Sequence, residues 1–139
     1  MDDYFMNIAI NEAKKAKDYG DFPVGAVIVK DNKIISKAYN RKCFDNVSVY
    51  HAELLCIVKA CKKLKSWRLN DCSIYVTLEP CPMCMGAIGE SRISNVYYLV
   101  DSNYIDTVNN VNNKIIKKKL DDNNCYSELL GTFFDRNSL

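Results

Sequence analysis

Ser73-Ile74-Tyr75-Val76-Thr77-Leu78-Glu79-Pro80-Cys81-Pro82-Met83-Cys84-Met85-Gly86-Ala87-Ile88 contains the decisive change of period in this chain. Ser73 to Leu78 is rich in apolar and β-branched residues and reads as a strand. Pro82 stands where the first turn of a helix favours proline, and the helix runs on to about Ser91. Asn95 to Val100 then reads as another strand. Working outward from this unit, His51 to Lys65 has helical spacing, with Leu54, Ile57, Val58, Cys61 and Leu64 expected to face inward. Val24 to Val29 reads as a buried strand. Asp31-Asn32 signals a turn that returns Lys33 to Ala38 as a hairpin partner. Phe5, Ile8, Ala9, Ala13 and Ala16 mark an amphipathic helix over 3–19, with Asp2 or Asp3 able to cap its start and Gly20 able to end it.

Beyond the fourth strand, Asp101 to Asn113 is asparagine-rich and aperiodic, and reads as a long loop of the kind that is often functional. Lys114 to Leu120 is expected as a fifth strand. Ser127 to Arg136 is expected as a last helix, with Leu129, Leu130, Phe133 and Phe134 apolar. Residues 40–50 look irregular. Strands alternating with helices in this order predict an α/β protein. The expected fold is a three-layer α/β/α arrangement with a mixed five-stranded sheet and helices on both faces.

The 139 residues suit one domain spanning 1–139. Hydrophobic residues at 48% and charged residues at 26% fit a globular protein and argue against disorder. No apolar run approaches the roughly 20 residues of a membrane span, so no membrane association is expected. The start, Met1-Asp2-Asp3-Tyr4, is acidic where a signal peptide is basic. With seven cysteines, an odd number, the expectation is a cytoplasmic protein with free thiols and a metal site. Cys56, Cys61 and Cys72 read as small core residues. The net charge of +2 is far from that of a histone-like binder, though a local patch suffices for nucleic acid. The lysine clusters at 14–17, 62–65 and 117–119 read individually as solvated faces.

Three pieces carry chemistry: His51-Ala52-Glu53, Pro80-Cys81 and Cys84. A Cys-x-x-Cys pair at a helix start can grip one metal, because the helix N-terminus favours the thiolates that zinc needs. His51 is the only histidine and also opens a helix. One imidazole and two thiolates make three ligands, the number that leaves a coordination position for water in catalytic zinc sites. Zinc with two thiolates is nearly neutral and acidifies water less than an all-histidine site, so a nearby base is valuable. Glu53 is placed for that role. Other uses of the same residues are a redox Cys81/Cys84 pair, and a closed structural zinc site with Cys43 or Cys72 as fourth ligand. A third is Glu53 as a helix-dipole residue only.

The H-x-E then P-C-x-x-C pattern, with 28 residues from Glu53 to Cys81, is similar to the signature of zinc-dependent base deaminases. More broadly, the chain resembles the tRNA-specific adenosine deaminases of the cytidine-deaminase-like superfamily. The residues that carry the resemblance are Pro23-Val24-Gly25-Ala26-Val27, Asn40-Arg41, His51-Ala52-Glu53, Trp67-Arg68-Leu69, Tyr75 to Ile88, Ser91-Arg92-Ile93 and, more loosely, Leu129-Leu130 with Phe133-Phe134. Guanine deaminases share much of the Glu-Pro-Cys-Pro-Met-Cys segment.

The resemblance implies a cytidine deaminase-like fold and hydrolysis of adenosine to inosine at the wobble position of a tRNA anticodon. It implies Zn2+ held by His51, Cys81 and Cys84. Glu53 would shuttle protons between zinc-bound water, ring nitrogen and leaving ammonia. Asn40 and the backbone at Ala52 would contact the substrate, and a homodimer would bind the anticodon stem-loop. The alternatives are a guanine, cytosine or nucleotide deaminase of the same superfamily, or a non-catalytic RNA-binding partner subunit. One segment departs from the family. An Asp-x-Lys-x-Gly-Ala type pattern is usual after the fourth strand, and Asp101-Ser102-Asn103-Tyr104-Ile105-Asp106 lacks it. Phe133 and Phe134 are stacking candidates, although apolar residues at this spacing are more often core.

Overall fold

The computed structural model describes residues 1–102, 115–123 and 125–137. Along the chain run α1 (Asp2–Asp18), β1 (Gly25–Lys30), β2 (Lys33–Tyr39), α2 (Lys42–Asp45) and α3 (Ala52–Leu64). They are followed by β3 (Cys72–Val76), α4 (Pro82–Glu90), β4 (Asn95–Tyr98), β5 (Ile116–Lys119) and α5 (Cys125–Asn137). The sheet order is β2-β1-β3-β4-β5. β1 lies antiparallel to both β2 and β3, whereas β3, β4 and β5 are mutually parallel. The mixed five-stranded sheet expected from the sequence is therefore present.

Alternation along β1 separates the layers. Ala26 and Ile28 pack in one core with Cys56 and Ala60 of α3 and Ile88 of α4. Val27 and Val29 pack in the other with Phe5, Met6 and Ala9 of α1 and Tyr126 of α5. Because successive strand side chains point to opposite faces, a continuous apolar strand such as Ala26-Val27-Ile28-Val29 serves two helical layers at once. A Val or Ile side chain fully buried in this way contributes about 1.5–3 kcal/mol. Gly25 lets α1 approach the sheet. A Cβ there would sit 1.9 Å from the Ala9 carbonyl oxygen and 2.6 Å from the Ala13 nitrogen. The β1–β2 hairpin turns through Asp31 and Asn32, both with positive φ (52° and 61°), which is the backbone of a tight two-residue hairpin turn.

Several local expectations differ from the structure, among them the start of α1, whose N-cap is Met1 with no side-chain cap bond in place of Asp2 or Asp3. Val58 is 49% exposed, and the inner face of α3 is instead Ala52, Glu53, Cys56, Ile57 and Ala60. The small side chains Ala52, Cys56 and Ala60 on that face let the helix lie close to the sheet, with Ile57 beside them. Within 40–50 the short helix α2 forms. The strands expected over 73–78 and 95–100 stop at Val76 and Tyr98, with Leu78 and Val100 meeting again as an isolated parallel bridge. Of the long loop at 101–113, only Asp101 and Ser102 lie within the described residues.

Candidate active site

Two helix N-termini converge on one point. His51 is the N-cap of α3 and Cys81 the N-cap of α4, both in extended backbone, with Pro82 opening α4. His51 Nδ1 lies 3.7 Å from Cys81 Sγ and 3.5 Å from Cys84 Sγ. The three donor atoms all fall within 4.8 Å of one another, as a shared metal requires. Zinc bonds of ordinary length at a tetrahedral angle place a sulfur and a nitrogen about 3.5 Å apart. The spacing therefore fits a zinc-type ion. Among the described residues, this is the one His/Cys/Asp/Glu group so arranged.

The thiols are polarised accordingly. Cys81 is drawn down to about 4, first by its hydrogen bond with Cys84, then by His51, against the effect of burial. Cys84 is pushed up, first by its hydrogen bond with Cys81 and then by burial. His51 is raised, mainly by its contact with Cys81.

Glu53 sits on the first turn of α3, only 4% exposed. Its Oε1 is buried without a hydrogen-bond partner. Burial is the main reason its carboxyl is raised to about 7. A buried, unpaired carboxylate oxygen is costly, and its presence next to a metal-binding trio points to a missing polar guest. Asn40 is buried as well. Its Oδ1 accepts the Ala52 N–H at 2.7 Å, and its own N–H donates to the Val24 carbonyl at 3.1 Å. The bond from Ala52 to Oδ1 fixes the side-chain amide and leaves its NH2 as the free donor, the bond to Val24 coming from the Asn40 backbone. It also commits the Ala52 N–H, so Ala52 is placed beside the site with its donor already used.

These groups line a cavity of about 510 Å³, within the range that holds small ligands. His51, Glu53, Cys81 and Asn40 line it together with Phe22, Lys42, Leu78, Glu79, Ser102, Leu130 and Phe134. Phe134 is half-exposed and meets Phe22 edge-on, as does Phe133. Glu79 accepts the Ser102 N–H at 3.0 Å and pairs with Lys117 of β5. Lys42 and Glu79 were within reach of the sequence, two residues from Asn40 and from Cys81. Phe22 and Ser102 carried no such signal. All seven cysteines are free. Cys43 and Cys72, the candidate fourth ligands, both lie outside the His51, Cys81 and Cys84 donor group.

An α/β/α sandwich with an imidazole and two sulfurs on paired helix starts, beside a buried carboxylate, defines the zinc deaminase class. Residues 1–100 match the family described as the cytidine and deoxycytidylate deaminase zinc-binding region, and the chain belongs to that family. Its relatives narrow the comparison. It is 48% identical over 97 residues to the tRNA-specific adenosine deaminase of Bacillus subtilis (strain 168), covering 70% of this chain and 60% of that protein. It is 50% identical over 98 residues to the chloroplastic tRNA(adenine(34)) deaminase of Arabidopsis thaliana, covering 70% of this chain and 8% of that one. The chain thus spans less than two thirds of the length of these relatives. A structure from a study of A-to-I editing by tRNA:A34 deaminases at the wobble position of transfer RNA superposes with a TM-score of 0.78 at 32% identity, covering 84% of this chain and 97% of that one. A guanine deaminase from Bacillus subtilis superposes with a TM-score of 0.70 at 36% identity, covering 91% and 75%.

Proposed function

We propose that residues 1–139 form one zinc-dependent deaminase domain that hydrolyses adenosine to inosine at the wobble position of a tRNA anticodon. The buried, unpaired oxygen of Glu53 beside His51, Cys81 and Cys84 carries the chemistry. The 48% and 50% identities to proteins named as tRNA adenosine deaminases carry the substrate.

His51, Cys81 and Cys84 would hold the ion. When bound, zinc lowers the pKa of a water and so supplies a nucleophile at neutral pH. The chain's own residues do the rest. Glu53 takes a proton from the attacking water as its oxygen adds to the purine carbon that bears the amino group. It delivers that proton to the adjacent ring nitrogen. It then moves the second proton to the amino group, the carbon–nitrogen bond breaks, and ammonia leaves. A carboxyl poised near neutrality both accepts and gives protons efficiently. The Asn40 NH2 is free to donate to the base, and the walls at Phe22 and Leu130 exclude water. The target base must leave its stack to enter, which costs least in a single-stranded loop.

A cytoplasmic homodimer is part of the same proposal. The exposed apolar side chains Val58 of α3 and Met83 of α4 supply surface for it. No described helix is long and apolar enough to cross a membrane. The likeness to a guanine deaminase favours one rival, free guanine as substrate. The test offers zinc-loaded protein a synthetic anticodon stem-loop, free guanine and free cytosine. Inosine in the stem-loop is expected. Conversion of guanine with the stem-loop untouched would overturn the assignment. A non-catalytic RNA-binding subunit would convert none of them.

A further inference from the structure

We propose that Asp21 is a positioning residue that sets the rim of the pocket, an inference that rests on the deaminase function above. Asp21 follows Gly20, whose φ of +78° turns the chain out of α1, and its side chain is 1% exposed. Its carboxylate accepts three backbone N–H groups: Phe22 at 2.9 Å, Cys43 at 2.8 Å and Phe44 at 3.1 Å. The last two are the free N–H groups at the start of α2, whose N-cap, Arg41, offers no side-chain cap bond. A residue 22 positions away therefore caps this single turn. Arg41 closes the turn from outside through Asp45, at 2.7 and 3.1 Å.

Both strips that the carboxylate joins belong to the cavity wall: Phe22 on one side, Asn40 and Lys42 on the other. From α2 the chain leads back two residues to Asn40, whose amide holds the Ala52 N–H between His51 and Glu53. A buried carboxylate is stable only when its oxygens are well bonded. Here those bonds are spent on two segments that both reach the pocket wall. His51, Glu53, Cys81 and Cys84 are carried by the starts of α3 and α4 and take part in none of the Asp21 bonds. Loss of Asp21 should therefore loosen substrate binding and spare the chemistry.

The test compares wild type with Asp21→Asn, which keeps the shape but presents one acceptor oxygen and a clashing NH2 to the N–H donors. Asp21→Ala is the second variant. Removing binding that is uniform between ground and transition state should raise KM for the anticodon stem-loop ~5-fold or more while kcat stays within ~2-fold. Zinc content should be unchanged. Amide hydrogen exchange at Cys43 and Phe44 should accelerate ~10-fold or more, with α4 unaffected. Unchanged exchange at those amides would overturn the inference. So would faster exchange with unchanged KM, which would make Asp21 merely structural. If wild type leaves the stem-loop unconverted, the function fails separately. The KM comparison then moves to free guanine, and the exchange measurement, needing no substrate, still decides whether Asp21 holds the rim.

Discussion

β1 and β5 are opposite kinds of strand in one sheet. β1 reads Gly-Ala-Val-Ile-Val-Lys and is buried up to its last residue, pinned between β2 and β3 and covered by helices on both faces. β5 reads Ile-Lys-Lys-Lys, lies at the edge, and is mostly exposed. Apolar packing holds the first, whereas β5 adds ion pairs, Lys117 with Glu79 and Lys119 with Asp101. Lysine on an edge strand also discourages pairing with another chain. The metal trio and Glu53 are mounted on the β1–β3 half through α3 and α4. Glu79 and Ser102, tied to the β4–β5 half through the Val100 carbonyl and Lys117, only line the cavity. The metal trio and this part of the rim thus rest on different mechanical foundations, one fixed by packing and one held by ion pairs at the sheet edge.

The sharpest way to break this division is at Glu53. Glu53→Gln should lower kcat by about 10²–10⁴-fold, the range for a lost general acid–base. Elemental analysis should still find the metal. A variant that kept full turnover would remove the shuttle from the rigid half altogether. Cys84→Ser comes next. It should lose bound metal and activity together, and the apoprotein made with a chelator should melt at a lower temperature, since binding to the native state stabilises it. Gly25→Ala attacks the packed half without touching the site. Its Cβ meets backbone atoms of α1 that cannot swing away, and the expected loss is about 3 kcal/mol in urea unfolding. A loss below that of an ordinary surface change would mean α1 is loosely docked. The smallest effects belong to the edge. Lys117→Met, at a pair largely shielded from solvent, should cost about 1 kcal/mol. Lys119→Ala, at a pair open to solvent, should leave the unfolding midpoint unchanged.

The same division explains what could be read from the sequence. His51, Glu53, Cys81 and Cys84 lie at helix starts that local signals reveal, Pro82 above all, so the trio was recognisable before any fold. The hairpin was equally plain, because Asp31-Asn32 supplies its turn chemistry locally. Hydrophobicity misled at Val58, since Ala52, Cys56 and Ala60 with Ile57, and not Val58, form the face of α3 turned to the sheet. Asp21 and α2 were invisible. Their bonds join positions 22 apart, and no period or motif encodes an acidic side chain that caps a distant turn. The departure from the family pattern at Asp101–Asp106 falls mostly outside the described residues.

The position of β1 has a consequence for synthesis. A nascent chain emerges with α1, β1 and β2 first, and their contacts are close in sequence, so this unit can assemble early. Until Cys72–Val76 is translated, the second edge of β1 stands open, apolar on both sides, a template for any passing strand. Ribosome stalling between about residues 40 and 72 would then produce the most aggregation-prone species this protein can form.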